Sequence, residues 1–113
     1  KKRGVDALAI VDDPMFIGNP GALASLTATH RIPAIAFSAF AESGGLMGYG
    51  VNFPALFRRA AVFVDKILKG AKPGDIPVEQ PTLFEMLVNM KTARALGIKI
   101  PNSILVRADK IIE

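Results

Sequence analysis

Residues 44–50 read GGLMGYG, and an amphipathic segment, FPALFRRAAVFVDKILK, follows at residues 53–69. The first stretch has the composition of a short strand, and its glycines indicate that other backbone approaches it closely. In the second stretch, apolar residues recur every three or four positions, which predicts a helix with one apolar face. Asn52 is placed to cap this helix and Gly70 to end it. A strand that leads directly into an amphipathic helix is typical of an α/β fold.

The residues before this stretch predict a βαβ unit. Residues 6–13 (DALAIVDD) contain a continuous apolar run, as in a parallel strand that is buried on both faces. Asn19 and Pro20 form a favourable helix start, and the helix is expected to reach about His30. A second apolar strand follows at residues 32–38 (IPAIAFS). This order of elements is typical of a parallel sheet.

The residues after the helix predict a return to the sheet. A polar, Pro-rich connection occupies residues 71–81, and a further strand is expected at residues 84–90. A short helix at residues 91–97 would end at its glycine. Another helical turn or two is predicted within residues 101–108, and residues 109–113 are expected to be a tail.

The composition excludes several classes of protein. With 50% hydrophobic and 21% charged residues, the chain is globular. Its mean hydropathy of +0.35 is high for a domain of this size, which suggests apolar surface that packs against something outside the chain. The net charge is +4, but basic residues cluster only at Lys1–Arg3 and at Arg58-Arg59. Because aromatics are 7% and Trp is absent, no nucleic-acid partner is predicted.

Catalysis and metal binding are also disfavoured. The chain has no Cys and a single His, so thiol nucleophiles, zinc fingers and Ser-His-Asp catalysis are excluded within it. The carboxylates Glu42, Glu79 and Glu85 are spread along the chain without a His or Cys partner. No Gly-Lys-Ser/Thr follows the glycines of residues 44–50, so they do not form a P-loop. We therefore predict no enzyme activity, no cofactor and no metal.

The acidic pair Asp12-Asp13 after an apolar strand resembles the first strand of a response-regulator receiver, where two acids hold Mg²⁺. That chemistry needs a phosphoacceptor Asp at a later strand end. No Asp occurs between Pro14 and Val64, and the next predicted strand ends in Ser38. The receiver interpretation is therefore disfavoured.

Several short motifs occur in an order that resembles the C-terminal part of a periplasmic solute-binding protein of an ABC importer. They are GGLMGYG at 44–50, DKILKGAKP at 65–73, VEQP at 78–81 and NMKTA at 89–93. The resemblance covers nearly the whole chain and is densest from Gly44 onward. It is to a family that includes binders of tryptophan and other aromatic amino acids.

This resemblance implies the α/β fold of type I periplasmic binding proteins, in which two lobes of parallel βαβ units enclose the ligand. Residues 5–43 and 84–113 would belong to the second lobe. Residues 46–80 would supply first-lobe elements and the crossings between lobes. Because such proteins are far longer than 113 residues, the chain is expected to be a C-terminal fragment that completes neither lobe. Alone it would be unstable or would associate with itself or another chain.

Ligands of open α/β sheets bind at the carboxyl ends of the strands. The residues expected there are Asp12, Asp13, Met15, Phe37, Ser38, Tyr49 and Asn52. Acids suit an ammonium group, Ser and Asn suit a carboxylate or hydroxyl, and the aromatic rings offer flat apolar walls. Asp13 has an alternative role in a turn, and Asn52 has one as a helix cap.

The implied function is that of the solute-binding component of an ABC import system. It would capture a small organic solute, either an amino acid or an aromatic or branched carboxylate, and deliver it to the transmembrane permease. The implied location is the periplasm, or the outer face of the membrane as a lipoprotein. The alternative is a ligand-sensing domain of a regulator or receptor, since such proteins reuse this fold.

Overall fold

A computed structural model describes residues 4–113, so the basic cluster Lys1–Arg3 lies outside the described residues. The chain divides into two compact units. The first contains the described residues up to Gly50 together with Glu85–Glu113, and the second contains Val51–Phe84. The assignment of these segments to two lobes of a receptor stays a prediction.

The helices and strands alternate along the chain. In order they are β1 (Leu8–Ala9), α1 (Pro14–Ile17), α2 (Pro20–Thr29), β2 (Ala34–Ala36), α3 (Ser38–Glu42), β3 (Met47–Val51), α4 (Phe53–Leu68), a 3₁₀ turn (Pro73–Asp75), β4 (Phe84–Asn89), α5 (Met90–Leu96), α6 (Asn102–Leu105) and β5 (Lys110–Ile112). Within the described residues the strands form a five-stranded sheet in the order β1-β2-β3-β4-β5. The pairs β1–β2, β2–β3 and β4–β5 are parallel. The predicted α/β class with parallel strands is therefore confirmed.

Residues at the helix ends explain where several helices begin and stop. The Asn52 side chain caps α4 by accepting a hydrogen bond from the Ala55 N–H at 2.9 Å, as predicted. Asn19 precedes α2, but its amide donates to the Met15 carbonyl oxygen instead of capping that helix. Gly97 ends α5 with a φ of 72°, a left-handed conformation that favours glycine.

The core of the first unit has two clusters. One contains Ala24, Ala34, Ala36, Phe37 and Phe40, and the other contains Leu46, Val88, Ala93 and Ile100. The small alanines of the first cluster leave room for the Phe40 ring, which is fully buried. A Cβ atom at Gly45 would lie 2.1 Å from this ring, so residue 45 must be glycine for the ring to fit.

A buried asparagine ties three elements of the first unit together. The Asn89 amide donates to the Ala41 carbonyl oxygen at 3.0 Å, and its Oδ1 accepts from the Thr92 N–H at 3.1 Å. The Thr92 hydroxyl donates to the Gly44 carbonyl oxygen at 2.8 Å. These bonds join the end of β4 and the start of α5 to the last turn of α3 and to Gly44 just after it. They give a physical reason for the Asn-Met-Lys-Thr motif.

The structure corrects the sequence predictions at both ends of the sheet. The strand predicted at residues 6–13 is limited to Leu8–Ala9 and is exposed, because β1 lies at the edge of the described sheet. Pro14–Ile17 forms a helix rather than a turn alone. The predicted C-terminal tail contains β5, which pairs in parallel with β4.

In the second unit, α4 lies in surroundings that differ from the prediction. The sequence predicts one apolar face for this helix, and such a face normally packs in a core, yet no residue of the helix is buried. Phe57 is 71% exposed and Leu68 is 81% exposed, because no second layer of described residues covers them. Among residues 4–113, no helix is long and apolar enough to cross a membrane.

Candidate functional site

The first three strands bring several of the predicted ligand-binding residues to one edge of the first unit. Leu8 pairs with Ala34, and Ile35 pairs with Met47, in parallel register. The carboxyl ends of β1, β2 and β3 therefore share an edge of the sheet. Asp12 and Asp13 follow β1, and Phe37 and Ser38 follow β2 directly. Tyr49 lies within β3, one residue after Gly48, which pairs with the last residue of β2.

Asp13 has a structural role as the N-cap of α1. Its Oδ1 accepts a hydrogen bond from the Met15 N–H at 2.9 Å. The side chain is exposed, so the carboxylate also remains accessible to a ligand. Asp12 is exposed beside it, and the Met15 side chain is 66% exposed on α1. This end of β1 thus presents two carboxylates next to an apolar thioether.

At the end of β2, Phe37 and Ser38 differ in their surroundings. Phe37 is only 3% exposed and packs in the first core cluster, so its ring stabilises the fold. Ser38 begins α3, and its Oγ is buried without a hydrogen-bond partner among the described residues. Buried polar atoms are nearly always paired, so this hydroxyl is unusual among the described residues.

Close backbone contact between β3 and the start of α3 holds this edge together. A Cβ atom at Gly48 would lie 2.9 Å from the Ser38 Cα and 3.1 Å from the Phe37 carbonyl oxygen. Only glycine allows this approach, which the sequence had indicated. The next residue, Tyr49, is 52% exposed. Tyr49 thus places an aromatic ring on β3, next to the glycine that lies against Ser38.

Asn52 belongs to the second unit, where it caps α4 and is half-buried. Its established role is therefore structural. The same unit has a mainly apolar groove of about 1000 Å³, lined by α4 and by residues 79–83. Across this groove, Arg59 Nε donates a hydrogen bond to Glu79 Oε2 at 2.7 Å.

Sequence reasoning missed this ion pair. Arg59, one of the two basic residues noted in the sequence at 58–59, donates two hydrogen bonds to the Glu79 carboxylate. These hydrogen bonds lower the pKa of Glu79. Because Arg59 donates them to a carboxylate, they also raise the pKa of Arg59. The Arg59 guanidinium carbon also lies 5.1 Å from the centre of the Phe63 ring. No local signal could have predicted a partner twenty residues away.

The geometry indicates a class of protein before any comparison is made. Ligands of open α/β sheets bind beyond the carboxyl ends of the strands, and in the first unit acids, a hydroxyl and a phenol lie in that region. The sequence matches the family model described as ABC transporter substrate binding protein over residues 1–112. The chain belongs to the ABC transporter substrate-binding protein family, as its resemblance predicted.

Individual relatives agree with this assignment. The chain is 26% identical over 96 residues to a tyrosine-binding protein of Clostridioides difficile strain R20291, covering 84% of the chain and 28% of that protein. It resembles the ABC domain from Streptococcus pneumonia solved in complex with L-Trp, with a TM-score of 0.87 and 30% identity over 96% of the chain and 37% of that structure.

A further structure supports the fold alone. A conserved domain protein from Vibrio cholerae superposes with a TM-score of 0.87 at 23% identity, covering 94% of the chain and 36% of that structure. The chain therefore spans between 28% and 37% of the length of these three proteins.

Proposed function

We propose that the protein of natural length that contains this chain binds an amino acid with an aromatic side chain for import by an ABC transporter. Family membership over residues 1–112 supports a role in solute binding. The two relatives named for, or solved with, tyrosine and tryptophan support the aromatic class. The protein acts by binding and release and is not an enzyme.

The observation that carries this proposal is the set of side chains at the carboxyl edge of β1, β2 and β3. The exposed carboxylates of Asp12 and Asp13 are suited to the ammonium group of an amino acid. The unpaired Ser38 hydroxyl is suited to a carboxylate oxygen. The half-exposed Tyr49 ring is suited to contact with an aromatic ring. Each group of an aromatic amino acid thus has a chemical complement at this edge.

The import role implies two further proposals. The ligand-loaded protein docks on the transmembrane permease subunits of the transporter. It works on the outer side of the membrane, either free in the periplasm or anchored as a lipoprotein. Both proposals rest on the family to which the chain belongs.

Isothermal titration calorimetry of the natural-length protein tests the proposed function. L-tryptophan and L-tyrosine are expected to bind saturably at one site per molecule, and more tightly than L-leucine or indole. Indole keeps the ring but lacks the ammonium and carboxylate groups, so it isolates their contribution. If none of these ligands binds, the proposed ligand class is wrong.

A further inference from the structure

The first unit has a small concave pocket of about 310 Å³ away from the candidate ligand-binding edge. Three segments form it, namely the end of α2, the turn after α3, and α5. The residues that line it are Ala28, Arg31, Gly44, Lys91, Thr92, Ala95 and Leu96. The charged residues in this set are an arginine and a lysine, and none is acidic. The pocket therefore offers only positive charge to a ligand.

This pocket lies at the opposite end of the strands from the candidate ligand-binding edge. Arg31 comes before β2, and Gly44 comes before β3, so both are at the amino ends of parallel strands. Asp13 and Ser38 instead follow the carboxyl ends of β1 and β2. A ligand of the pocket is thus separate from a solute bound at the carboxyl edge.

Arg31 has an unfavourable backbone conformation. Within residues 4–113 it is the one residue other than glycine with a positive φ, which is 53°. It follows His30, the C-cap of α2, at a position where helices commonly have glycine. A Cβ atom makes this left-handed conformation costly, and residues held in such conformations concentrate at functional sites. The strained position thus supplies one of the two positive charges of the pocket.

The two charges approach each other on α5. Arg31 Nη2 donates a hydrogen bond to the Ala95 carbonyl oxygen at 3.4 Å. Lys91 is four positions before Ala95, so it lies one turn away on the same side of the helix. Among residues 4–113, neither Arg31 nor Lys91 forms an ion pair. A guanidinium has five N–H donors, so Arg31 keeps several for a ligand.

The backbone around the pocket is held in place by hydrogen bonds. The Thr92 hydroxyl donates to the Gly44 carbonyl oxygen at 2.8 Å, which ties α5 to the turn after α3. The Thr92 N–H in turn donates to Asn89 Oδ1. The remaining lining residues are apolar, and low-dielectric walls strengthen the attraction between the two cations and an anion. The pocket is therefore preorganised for a negatively charged group.

We propose that this pocket binds a phosphate group, with the Arg31 guanidinium and the Lys91 ammonium as its charged contacts. A guanidinium presents paired N–H donors that match two phosphate oxygens, and a lysine adds a point charge for another oxygen. The phosphate group belongs either to free inorganic phosphate or to the headgroup of an anionic phospholipid. Both sources present the same oxygens, so the experiment has one arm for each.

Two substitutions in the natural-length protein remove the charges with little effect on the fold. Arg31→Gly deletes the guanidinium and places glycine where φ is positive, so Tm should not fall. Lys91→Met keeps an unbranched side chain with similar helix propensity. Lys72→Met is the matched control, because Lys72 is an exposed lysine of the second unit and does not line the pocket.

The first arm is isothermal titration calorimetry with sodium phosphate, with sodium chloride at equal ionic strength as the reference. The second arm is co-sedimentation with vesicles of phosphatidylglycerol, with phosphatidylcholine vesicles as the reference. We expect saturable binding in at least one arm. Arg31→Gly and Lys91→Met should each weaken it at least about tenfold, as expected for a lost charge-assisted contact, and Lys72→Met should leave it unchanged. The arm that shows binding identifies the source of the phosphate group.

Two results would overturn the proposal. One is the absence of binding to both phosphate and phosphatidylglycerol by the unmodified natural-length protein. The other is an equal loss of binding in Lys72→Met and the two pocket variants, because the attraction would then depend on net charge alone. Neither result bears on binding of aromatic amino acids at the carboxyl edge, so this proposal and the proposed function succeed or fail separately.

Discussion

The buried amide of Asn89 offers a sharp test of how the first unit is held together. An Asn89→Leu variant keeps the number of side-chain heavy atoms, but both side-chain hydrogen bonds are lost. The Thr92 N–H loses the cap that holds it at 3.1 Å and becomes an unsatisfied donor. The Ala41 carbonyl oxygen loses its bond from the amide but still accepts from the Gly44 N–H at 3.2 Å.

The magnitude follows from these two losses. Leaving a buried donor unpaired costs about 1–3 kcal/mol, and losing one bond to a carbonyl that keeps another partner costs about 1 kcal/mol. We therefore expect the free energy of unfolding to fall by about 2–4 kcal/mol. In a protein of a few hundred residues, with about 2.1 cal/mol/K of unfolding entropy per residue, this corresponds to a decrease in Tm of about 3–6 °C.

Urea denaturation of the natural-length protein, followed by circular dichroism, measures this change. Asn102→Leu is the control, because residue 102 is an exposed asparagine in α6. Its effect should stay within about 0.5 kcal/mol, as is usual for exposed positions. If Asn89→Leu is no more destabilising than Asn102→Leu, then the hydrogen bonds of Asn89 do not stabilise the unit as argued.

Three further predictions concern other residues. Asp13→Asn keeps a good N-cap but removes the charge, so Tm should change little. Binding of L-tryptophan should weaken at least about tenfold, as expected for a lost charge-assisted bond. Asp6→Asn is the control in calorimetry, and equal affinities of the two variants would contradict a role for Asp13 in binding. Gly45→Ala should lower the free energy of unfolding by about 1–3 kcal/mol, because the new Cβ atom clashes with the buried Phe40 ring. Gly21→Ala lies in a helix and meets no atom within 4 Å, so it should raise the free energy of unfolding by up to about 1 kcal/mol. The two variants would behave alike only if the clash were absent. The pKa of Glu79 is lowered in the folded state, so its ion pair contributes stability fully above the ordinary pKa of a glutamate, and that contribution disappears as the pH falls through the lowered pKa. Glu79→Gln should remove this part of the pH dependence in acid denaturation, and an unchanged profile would show that the ion pair does not contribute.

Much of the fold was predictable because it depends on short-range patterns. The period of the apolar residues predicted α4, and the capping residue Asn52 predicted where it begins. The left-handed glycine at position 97 ends α5 as expected. Alternating strands and helices predicted the parallel sheet. Each of these signals acts within a few residues of the backbone it controls, so a single sequence is sufficient to show it.

The strand ends that carry the proposed site were predictable, whereas the contacts of their side chains were not. Strand ends and parallel order were sufficient to group Asp13, Ser38 and Tyr49 at one edge. The sequence did not show that Phe37 packs in the core. Nor did it show that the Ser38 hydroxyl is buried without a partner. Burial and hydrogen bonding depend on which distant residues surround a side chain, and no local pattern records that.

The sequence by itself determined most of the helices and strands, the Asn52 cap of α4, the class of fold and the family. Tertiary structure alone decided the pairings between distant residues. Asn89 meets Ala41 across 48 positions, and Arg59 meets Glu79 across 20 positions. It also decided that Lys110–Ile112 forms a strand, because a short apolar run becomes a strand only when a neighbour such as β4 supplies its hydrogen bonds. Local conformation follows from the residues of one segment, whereas these contacts exist only after separate segments have packed together.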